Sequence, residues 1–532
     1  MSILNFIPSA VKYPSVIFIP YYLLILIYRI FFHPLRKYPG PFLAKLSGIY
    51  TGFYALLRRL HLTTYSDQKK YGGRLGGPAL RHGPDKLVFN SVEALQDIYN
   101  NERVTKSHVY KLTMRSGKPS IFSTIDKQQH RLKRKLIGQA VNDKATRAFE
   151  PTMIEQVDIF IKQLMVSSQG SSPVDMTERC KWLGMDIVGL LAFGFALNMQ
   201  TDPTYRFITR GLGVGTYQLN SLMQWPLLKN LGLHRLLLLV GYGQRVKYLR
   251  ALQTMISTRL SQEKHAKNDL YSFVADHLDN AADGITTSEL WSEALFFPAA
   301  GDTTTTALSA LFFYLSRYRE VYKKLAAEIR RSFSSSADIK SGPQLSNCRY
   351  LRACIDEALR MSPPITGTLW RELPPKEHAR EPWIVDGHVI PQGTQVGVCT
   401  YALHHNEAYF ADPFIFRPER WLDENGDPEA LSRMYAAFNP FSVGSRACAG
   451  KSMAYLEASL VIAKTLFTFD FWTAQGKAGH VGAGVPGRTD GRGRPHEFQL
   501  YDTFGSQHVG PKLIFRRRGE FGDDIEKEVL GF

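Results

Sequence analysis

Cysteine is scarce in this chain, with five cysteines among 532 residues, and the number is odd. Small disulfide-stapled secreted domains carry a dense and even set, so this count argues against a disulfide framework. The acceptor sequence for N-glycosylation is also absent, because no asparagine is followed two residues later by serine or threonine. Both absences favour the reducing environment of the cytosol.

The signatures of nucleic-acid-binding proteins are missing as well. The sequence has no zinc-finger spacing, no basic region leading into heptads and no aromatic RNA-binding motif. The formal net charge is nevertheless +17, from 65 Lys and Arg against 48 Asp and Glu. A basic surface of this kind attracts acidic partners or anionic lipid. We therefore expect an acidic protein partner and a lipid bilayer, and no nucleic acid.

No fixed-period repeat is present, and no Gly/Ser-rich or Pro-rich linker divides the middle of the chain. A single large domain is therefore expected. Apolar residues recur at helical spacing in segments 129–140, 153–164, 244–264, 288–333 and 450–467. Strand-like runs are short and fall at 86–89, 383–389 and 394–400. The pattern predicts a fold that is mainly α with small β-sheets.

One glycine-rich segment, Gly482-Ala-Gly484-Val-Pro-Gly487, has the spacing of a dinucleotide-binding loop. That motif needs a strand before it and a helix after it, whereas polar, Gly-rich sequence continues to Pro495. We interpret the segment as a loop rather than a nucleotide site.

The N-terminal region carries the longest apolar run. Residues 16–28 are uninterrupted by charge, and residues 30–32 extend the run past Arg29, which gives about enough length to cross a bilayer. A cleaved signal peptide is the alternative, but no small-residue cleavage site follows. Basic residues lie mainly at and after the end of the run, which places the remainder in the cytosol. We predict a membrane anchor and basic hinge over residues 1–35 and a catalytic domain over 36–532.

A cysteine motif carries the chemistry. The segment Phe441-Ser-Val-Gly444-Ser-Arg446-Ala-Cys448-Ala-Gly450 precedes an apolar helical pattern, so Cys448 lies at a helix N-terminus. Unpaired N–H groups and the helix dipole there favour a thiolate, which is the metal-binding form of cysteine. Gly444 and Gly450 allow the backbone to bend toward the sulfur, Phe441 can cover the site, and Arg446 is placed to hold a carboxylate.

This segment resembles the haem-binding loop of the cytochrome P-450 family, Phe-x-x-Gly-x-Arg-x-Cys-x-Gly, at every fixed position. The alternatives are a buried structural cysteine and the nucleophilic thiol of a hydrolase, and neither needs the Phe, the Arg and the second Gly. The resemblance covers about residues 32–518 and is greatest to membrane-bound fungal members. It implies the cytochrome P-450 fold, with Cys448 as the axial ligand of a haem b iron.

An ion-pair network is expected behind this loop. Glu357 and Arg360 lie three residues apart in a helical segment and therefore share one face. Such a pair is usually a solvated surface pair. The later segment Arg417-Pro-Glu-Arg420-Trp421 resembles the family element that supplies a third member. The resemblance implies a buried network of Glu357, Arg360 and Arg420 that supports the haem loop.

The segment Ala299-Ala-Gly301-Asp302-Thr303-Thr304 resembles the oxygen-binding groove of the family. Pro298 and Gly301 are expected to open the helix locally. The resemblance implies that Asp302 exchanges protons with solvent and that Thr303 hydrogen-bonds the oxygen in the groove. As alternatives, threonine in a buried helix often bonds to its own turn, and the whole segment could be a second transmembrane span. Ala300 stands where the family more often has Gly, which tightens the groove.

The helix around His130-Arg-Leu-Lys-Arg134 resembles the family helix that meets the haem carboxylates, with His130 in place of the usual Trp. His130, Arg134 and Arg371 are therefore candidate ligands of those carboxylates. A solvated basic helix face is the alternative for this stretch. Arg131, Lys133 and Lys135 could also form a docking surface for an acidic electron donor.

The resemblance implies a monooxygenase that inserts one oxygen atom from O₂ into a hydrophobic organic substrate, by hydroxylation or epoxidation, in fungal secondary metabolism. Electrons would come from NADPH through a flavin reductase, and the protein would be held at the endoplasmic reticulum membrane by its single N-terminal span. A reductase-independent haem-thiolate isomerase or dehydratase and a non-catalytic haem sensor remain alternatives. Substrate contacts are expected in residues 111–122, 205–231, 296–303, 363–368 and 501–509.

Overall fold

Helices dominate the chain because apolar residues recur along it at helical spacing. The structure is a computed structural model, and it describes residues 19–72, 77, 79–114, 117–170, 172–263, 267, 269–275, 286–294, 296–422 and 426–519. The first half contains helices α1 Phe42–Leu46, α2 Ile49–Leu56, α3 Leu60–Tyr71, α4 Val92–Tyr99, α5 Lys127–Ala140, α6 Asp143–Ser168, α7 Met176–Phe193, α8 Phe207–Gln224, α9 Leu227–Asn230, α10 His234–Leu239 and α11 Tyr242–Leu260.

The second half of the chain is also mainly helical. Its helices are α12 Leu270–Ala275, α13 Thr287–Ala294, α14 Pro298–Arg317, α15 Arg319–Ser332, α16 Pro343–Ser346, α17 Arg349–Met361, α18 Pro375–His378, α19 Thr400–His404, α20 Pro428–Ala437, α21 Lys451–Thr468 and α22 Gly476–Gly479.

Three small sheets lie beside the helices. The strands are β1 Ala79–Gly83, β2 Lys86–Phe89, β3 Thr105–Lys106, β4 Val174–Asp175, β5 Arg371–Glu372, β6 Trp383–Val385, β7 His388–Ile390, β8 Gln395–Val398, β9 Phe469–Thr473 and β10 Lys512–Arg517. Five of them form a sheet in the order β1-β2-β8-β5-β3, in which β2 and β8 are parallel and the other pairs antiparallel. The others form a three-stranded sheet, β4-β10-β9, and the two-stranded sheet β6-β7. The prediction of a mainly α fold with small sheets is confirmed.

Helix α14 runs through the centre of the molecule, and every residue from Thr304 to Ser316 is buried. Its apolar side chains share one core with helices α6, α7, α15, α17 and α21. It crosses α7 where two glycines meet, because a Cβ on Gly301 would lie 2.7 Å from the carbonyl oxygen of Gly184. This close crossing gives Gly301 a packing role, where the sequence suggested a loosened helical turn.

The predicted helical segment 288–333 is not continuous. Helix α13 ends at Ala294, α14 begins at Pro298, and α15 follows from Arg319. Pro298 takes the first position of α14, where a missing N–H removes no helical hydrogen bond. The expectation that Pro298 opens a longer helix from within is therefore wrong.

The predicted strand 383–389 is a hairpin. Strands β6 and β7 pair in antiparallel fashion and are joined by Asp386 and Gly387, which both have positive φ angles, 46° and 73°. Asp-Gly is a common sequence for tight hairpin turns, because both residues tolerate this conformation. The predicted strand 394–400 is shorter, since helix α19 begins at Thr400.

The N-terminal apolar run lies partly outside the described residues, which begin at residue 19. Residues 19–27 are helical and continue into a π-helical turn, Tyr28–Phe32. Within the described part of the chain, no helix has the length and apolar character needed to span a membrane. Because residues 1–18 lie outside the described part of the chain, the anchor of residues 1–35 stays a prediction.

Candidate functional site

A cavity of about 450 Å³ lies between helix α14 and the loop that precedes α21. The walls bring together most of the residues singled out in the sequence. Those lining it are His130, Arg134, Asp302, Thr303, Arg371, Phe441, Arg446, Cys448 and Gly450. Residues far apart in the chain therefore form one site, of a size that suits a cofactor or small ligand.

Cys448 lies at the wall of this cavity, two residues before Gly450, which caps helix α21. Its side chain is exposed to the cavity although it lies deep within the protein. Burial raises the pKa of the Cys448 thiol, whereas the backbone N–H of Gly450 and the positive charges of Arg134 and Lys451 act to lower it. A soft metal bound at the sulfur would complete the stabilisation of the thiolate.

The loop is shaped by local contacts. The Cys448 N–H donates to the Phe441 carbonyl at 2.9 Å, and the Phe441 ring packs on Tyr455 with 5.3 Å between centroids. Gly444 has φ 75°, and a Cβ there would lie 2.0 Å from the Tyr99 carbonyl oxygen, so glycine is required. Gly450 differs, because a Cβ would meet no described atom within 4 Å. A close contact therefore requires glycine at position 444, as predicted, whereas no contact of the described residues requires glycine at position 450.

Cationic side chains line the cavity beside the loop. Arg446 donates to the carbonyls of Thr124 and Ile125 at 2.8 and 3.0 Å, and Arg134 donates to the Ala447 carbonyl. Burial and the nearby Arg371 lower the pKa of Arg446 to about 10. Arg446 and Arg134 therefore bring positive charge to the cavity wall, and the hydrogen bonds described for them go to neutral carbonyl oxygens.

His130 belongs to the same group. It is buried on helix α5, and burial together with the charges of Arg446 and Lys106 lowers the pKa of His130 to about 3. The imidazole is therefore neutral, and a neutral imidazole retains one N–H that can donate to a carboxylate.

Lys106 is a basic residue that the sequence analysis missed. It lies on β3 directly opposite Arg371 on β5, and both side chains are buried. Its Nζ donates to the Phe122 carbonyl at 2.5 Å, and burial together with Arg371 and Arg446 lowers the pKa of Lys106 well below its usual value. No local sequence pattern could identify it, because strand pairing with a distant segment creates the site.

Asp302 and Thr303 line the cavity from the first turns of helix α14. The Thr303 hydroxyl donates to the Ala300 carbonyl at 2.9 Å, so the back-bonding expected of a helical threonine is present. Asp302 is buried, and burial raises the pKa of its carboxyl, although Lys181 and Gln507 act to lower it. The acid and the alcohol are thus adjacent at the cavity.

Glu357, Arg360 and Arg420 are brought together as predicted and are buried. Both carboxylate oxygens of Glu357 accept from Arg360 at 2.9 Å, and Arg420 Nε donates to Glu357 Oε1 at 3.0 Å. Arg360 also donates to the carbonyl of His404, whose Nε2 accepts from the N–H of Asn439 at 3.0 Å. Asn439 precedes Phe441 by two residues, so the network is linked directly to the cysteine loop.

Apolar and aromatic side chains line much of the cavity. Phe122 stacks on Phe296 with 5.0 Å between centroids and meets the edge of Phe504 at 4.9 Å. Each of the five predicted substrate-contact segments contributes lining residues. The sequence analysis missed contributions from Ile137, Val141, Ile187, Val188, Leu191, Ala192, Tyr248, Leu270 and Ser292.

Lys133 does not belong to a surface for docking. It is buried, and its Nζ pairs with Glu293 at 3.0 Å and with Glu289 at 3.4 Å. Arg131 and Lys135, on the same helix α5, are exposed. The predicted docking face therefore loses its central lysine, because acidic partners from helix α13 neutralise it.

The residues present fit a haem. The Cys448 side chain lines the cavity, and Lys106 and Arg371 are buried opposite each other there, so a positive charge on Lys106 is unfavourable unless an anion lies nearby. Haem b would provide an iron for the sulfur and carboxylates for the basic side chains. These features are those of the class of haem-binding proteins.

Comparison with known proteins agrees with this class. Residues 82–480 match the family Cytochrome P-450. The chain is 33% identical over 504 residues to cytochrome P-450 monooxygenase AKT7 of Alternaria alternata, covering 92% of this chain and 94% of that protein. It is 34% identical to cytochrome P-450 monooxygenase poxM of Penicillium oxalicum, with 93% and 92% covered. For cytochrome P-450 monooxygenase apf7 of Gibberella fujikuroi the identity is 32%, with 93% and 96% covered.

The chain therefore belongs to the cytochrome P-450 family, as its cysteine loop predicted, and is an oxidoreductase with the fold of that family.

Proposed function

We propose that this protein is a haem-thiolate monooxygenase that inserts one oxygen atom from O₂ into a hydrophobic organic substrate, by hydroxylation or epoxidation, in fungal secondary metabolism. The observation that carries the proposal is the placement of Cys448, the buried cations and the Asp302–Thr303 pair around one apolar cavity. The fungal monooxygenases to which the chain is similar support the reaction class. The apolar, aromatic wall supports a hydrophobic substrate.

The haem supplies the iron at which O₂ is activated. Cys448 would hold this iron as a thiolate, and Phe441 would shield the sulfur from water. The haem carboxylates would be held by Arg134, Arg371, Arg446, His130 and Lys106. Gly444 fixes the path of the loop, and the network of Glu357, Arg360 and Arg420 keeps the loop in place behind it.

Protons reach the reaction through Asp302 and Thr303. Asp302 takes protons from solvent, and the Thr303 hydroxyl hydrogen-bonds the oxygen in the groove. Thr303 donates to its own helical turn in the structure, and the adjacent position of both groups at the cavity wall supports their pairing. An isomerase or a sensor would not require this acid and alcohol.

Electrons come from NADPH through an acidic flavin reductase. Arg131 and Lys135 are the exposed cations of helix α5, which also carries His130 and Arg134 at the cavity. A donor bound to this helix would therefore lie close to the haem carboxylates. Complementary charge favours such an encounter.

We further propose that the protein associates with the endoplasmic reticulum membrane, with its catalytic domain in the cytosol. The N-terminal apolar run would form the anchor of domain 1–35, ahead of a catalytic domain 36–532. Leu24 and Phe32 of this run are exposed, as are Leu236 and Leu239 of helix α10. The Tyr28–Phe32 turn packs on α1, α1 packs on α2, and α8 packs against both α2 and α10, so a series of contacts connects the N-terminal run to α10.

The ligand assignment is tested with a Cys448→Ala variant. The wild-type protein is expected to contain haem and to give the thiolate-type spectrum when reduced and exposed to carbon monoxide, and the variant is expected to lose that spectrum. An unchanged spectrum would exclude Cys448 as the ligand. Dependence of product formation on NADPH, reductase and O₂ separates the monooxygenase from an isomerase and from a sensor.

A further inference from the structure

The C-terminal segment Ser506–His508 is bonded along one face of helix α14. Asp302, Thr306 and Ser309 share this face, because they are spaced by four and then three residues. The Thr306 hydroxyl donates to the Ser506 carbonyl at 3.2 Å, and His508 Nε2 lies 3.1 Å from the Ser309 hydroxyl. These bonds fix the segment beside Asp302.

Gln507 lies in the middle of this segment, and its Nε2 donates to Asp302 Oδ2 at 3.2 Å. Among the described residues, this is the one side-chain hydrogen bond to the Asp302 carboxylate. Backbone hydrogen bonds between Gln507 and Tyr501, 2.8 and 2.9 Å long, close the turn that carries Gln507. The donor is therefore held on a constrained segment.

Lys181 of helix α7 fixes the orientation of the Gln507 amide. Its Nζ donates to Gln507 Oε1 at 3.0 Å. A lysine ammonium can only donate, so the amide oxygen must face Lys181 and the amide nitrogen must face Asp302. Both Lys181 and Gln507 are half-buried, which leaves this chain of contacts open toward solvent.

Helix α8 provides the space for this arrangement. Gly213 lies beside the Gln507 amide, and a Cβ at this position would lie 3.2 Å from Gln507 Oε1. A larger residue would press on the amide. Elements from three parts of the chain, α7, α8 and the C-terminal segment, thus converge on the acid of α14.

We infer that Gln507 is a positioning residue for proton delivery, holding the Asp302 carboxylate in a fixed orientation between the cavity and the half-buried Gln507–Lys181 pair, and that Lys181 orients Gln507 for this purpose. The inference rests on the proposed role of Asp302. In each turnover Asp302 gives a proton to the groove and recovers one from solvent. A displaced carboxylate makes both transfers slower.

The test uses the haem-containing enzyme with NADPH, O₂ and a flavin reductase, and it measures NADPH oxidation in H₂O and in D₂O without added substrate. Gln507→Met is expected to slow NADPH oxidation roughly tenfold and to increase the solvent isotope effect, because proton transfer becomes the slower step. Lys181→Met is expected to act in the same direction, whereas Lys181→Arg, which keeps a cationic donor, stays within about twofold of wild type.

The pH profile provides a second readout. Lys181 of α7, which donates to Gln507, and His508, which follows Gln507 in the chain, are charged or titratable groups beside the Asp302–Gln507 contact, and Gly213 of α8 contributes none. Lys181 and Gln507 both lower the pKa of Asp302. Removing either interaction therefore raises the pKa of Asp302 and moves the inflection in the pH profile of NADPH oxidation to higher pH. A merely structural defect would lower the rate at every pH without moving the inflection.

Gln163 of helix α6 offers a matched control, since it is half-buried and its Oε1 accepts from Arg179 at 3.4 Å. Gln163→Met should leave rate, isotope effect and inflection unchanged. If Asp302→Asn is slow but Gln507→Met and Lys181→Met match wild type, the inference fails and the role of Asp302 stands. If Asp302→Asn itself matches wild type, the proposed proton role fails, and the inference with it.

Discussion

Lys106 and Arg371 lie directly opposite each other in the antiparallel pair of β3 and β5, and both are buried at the wall of the cavity. Like charges in this register repel each other, and burial together with this repulsion lowers the pKa of Lys106 and disfavours its charged form. Haem carboxylates between them would convert the repulsion into attraction. Lys106→Met is therefore expected to increase the rate of haem loss by about tenfold. Transfer of haem to an excess of apomyoglobin measures this rate.

Lys376 of helix α18 is exposed and serves as the control for this prediction. Lys376→Met should lose haem at the wild-type rate. Equal rates of haem loss for Lys106→Met and wild type would remove Lys106 from the carboxylate site, while leaving the assignments of the arginines in place.

Among the residues that the structure describes, Glu357 is the one acceptor that joins Arg360 to Arg420, and all three side chains are buried. Replacing its carboxylate with an amide leaves two buried guanidinium groups without a counter-charge. Glu357→Gln is expected to lower the free energy of unfolding by about 3–5 kcal/mol. Denaturant unfolding of the haem-containing protein measures this loss.

The exposed pair of Glu407 and Lys69, 3.1 Å apart, is the control. Glu407→Gln should change the free energy of unfolding by less than about 1 kcal/mol, because solvent screens an exposed pair. A similarly small change for Glu357→Gln would contradict the structural importance of the buried network.

Glu457 of helix α21 predicts a pH dependence of stability. It is 4% exposed, its Oε1 has no hydrogen-bond partner among the described residues, and burial raises the pKa of its carboxyl to about 8. In the unfolded chain the group titrates near 4.5, so between these pH values the folded state holds more protons than the unfolded state. Stability from this group is therefore present below pH 4.5 and is lost as the pH rises toward 8.

Glu457→Gln should remove this loss. In thermal unfolding of the haem-containing protein, the variant is expected to unfold at a higher temperature than wild type at pH 8 and at nearly the same temperature at pH 5. Glu155→Gln, at an exposed position of helix α6, should follow the wild-type profile. Parallel profiles for Glu457→Gln and wild type would show that the carboxyl is not buried as described.

The parts of the site that lie close together in sequence could be predicted, and the parts assembled by tertiary contacts could not. Gly444 and Cys448 belong to one loop, and Glu357 and Arg360 lie one helical turn apart, so local spacing reveals both groups. Arg420 was identified only through the resemblance to the family. Lys106 escaped notice because pairing of β3 with β5 makes it part of the site.

Lys133 illustrates the opposite error. On helix α5 it lies among basic residues whose pattern predicts a solvated face. In the structure it forms ion pairs with Glu289 and Glu293 of α13. Periodicity describes one helix and does not state what packs against it. The Asp386–Gly387 hairpin is a different kind of error. The Asp-Gly turn signal is present in the sequence, but the apolar run around it favours the prediction of a single strand.

Two groups of exposed apolar side chains predict how the protein binds membranes. Leu236 and Leu239 of helix α10 are 63% and 70% exposed, and the N-terminal run adds Leu24 and Phe32. Transfer of each leucine into lipid is favourable by about 1.5–3 kcal/mol. Deleting residues 1–32 should therefore shift the protein toward soluble fractions, and adding Leu236→Glu and Leu239→Glu to the truncated chain should abolish the remaining binding. Flotation with phospholipid vesicles measures both steps.

Val166→Glu, at a 65% exposed position of helix α6, should leave flotation of the truncated chain unchanged, because this helix lies outside the proposed contact. A truncated protein that still floats completely would contradict a single N-terminal anchor, and complete flotation after both leucine changes would exclude α10 as the second contact.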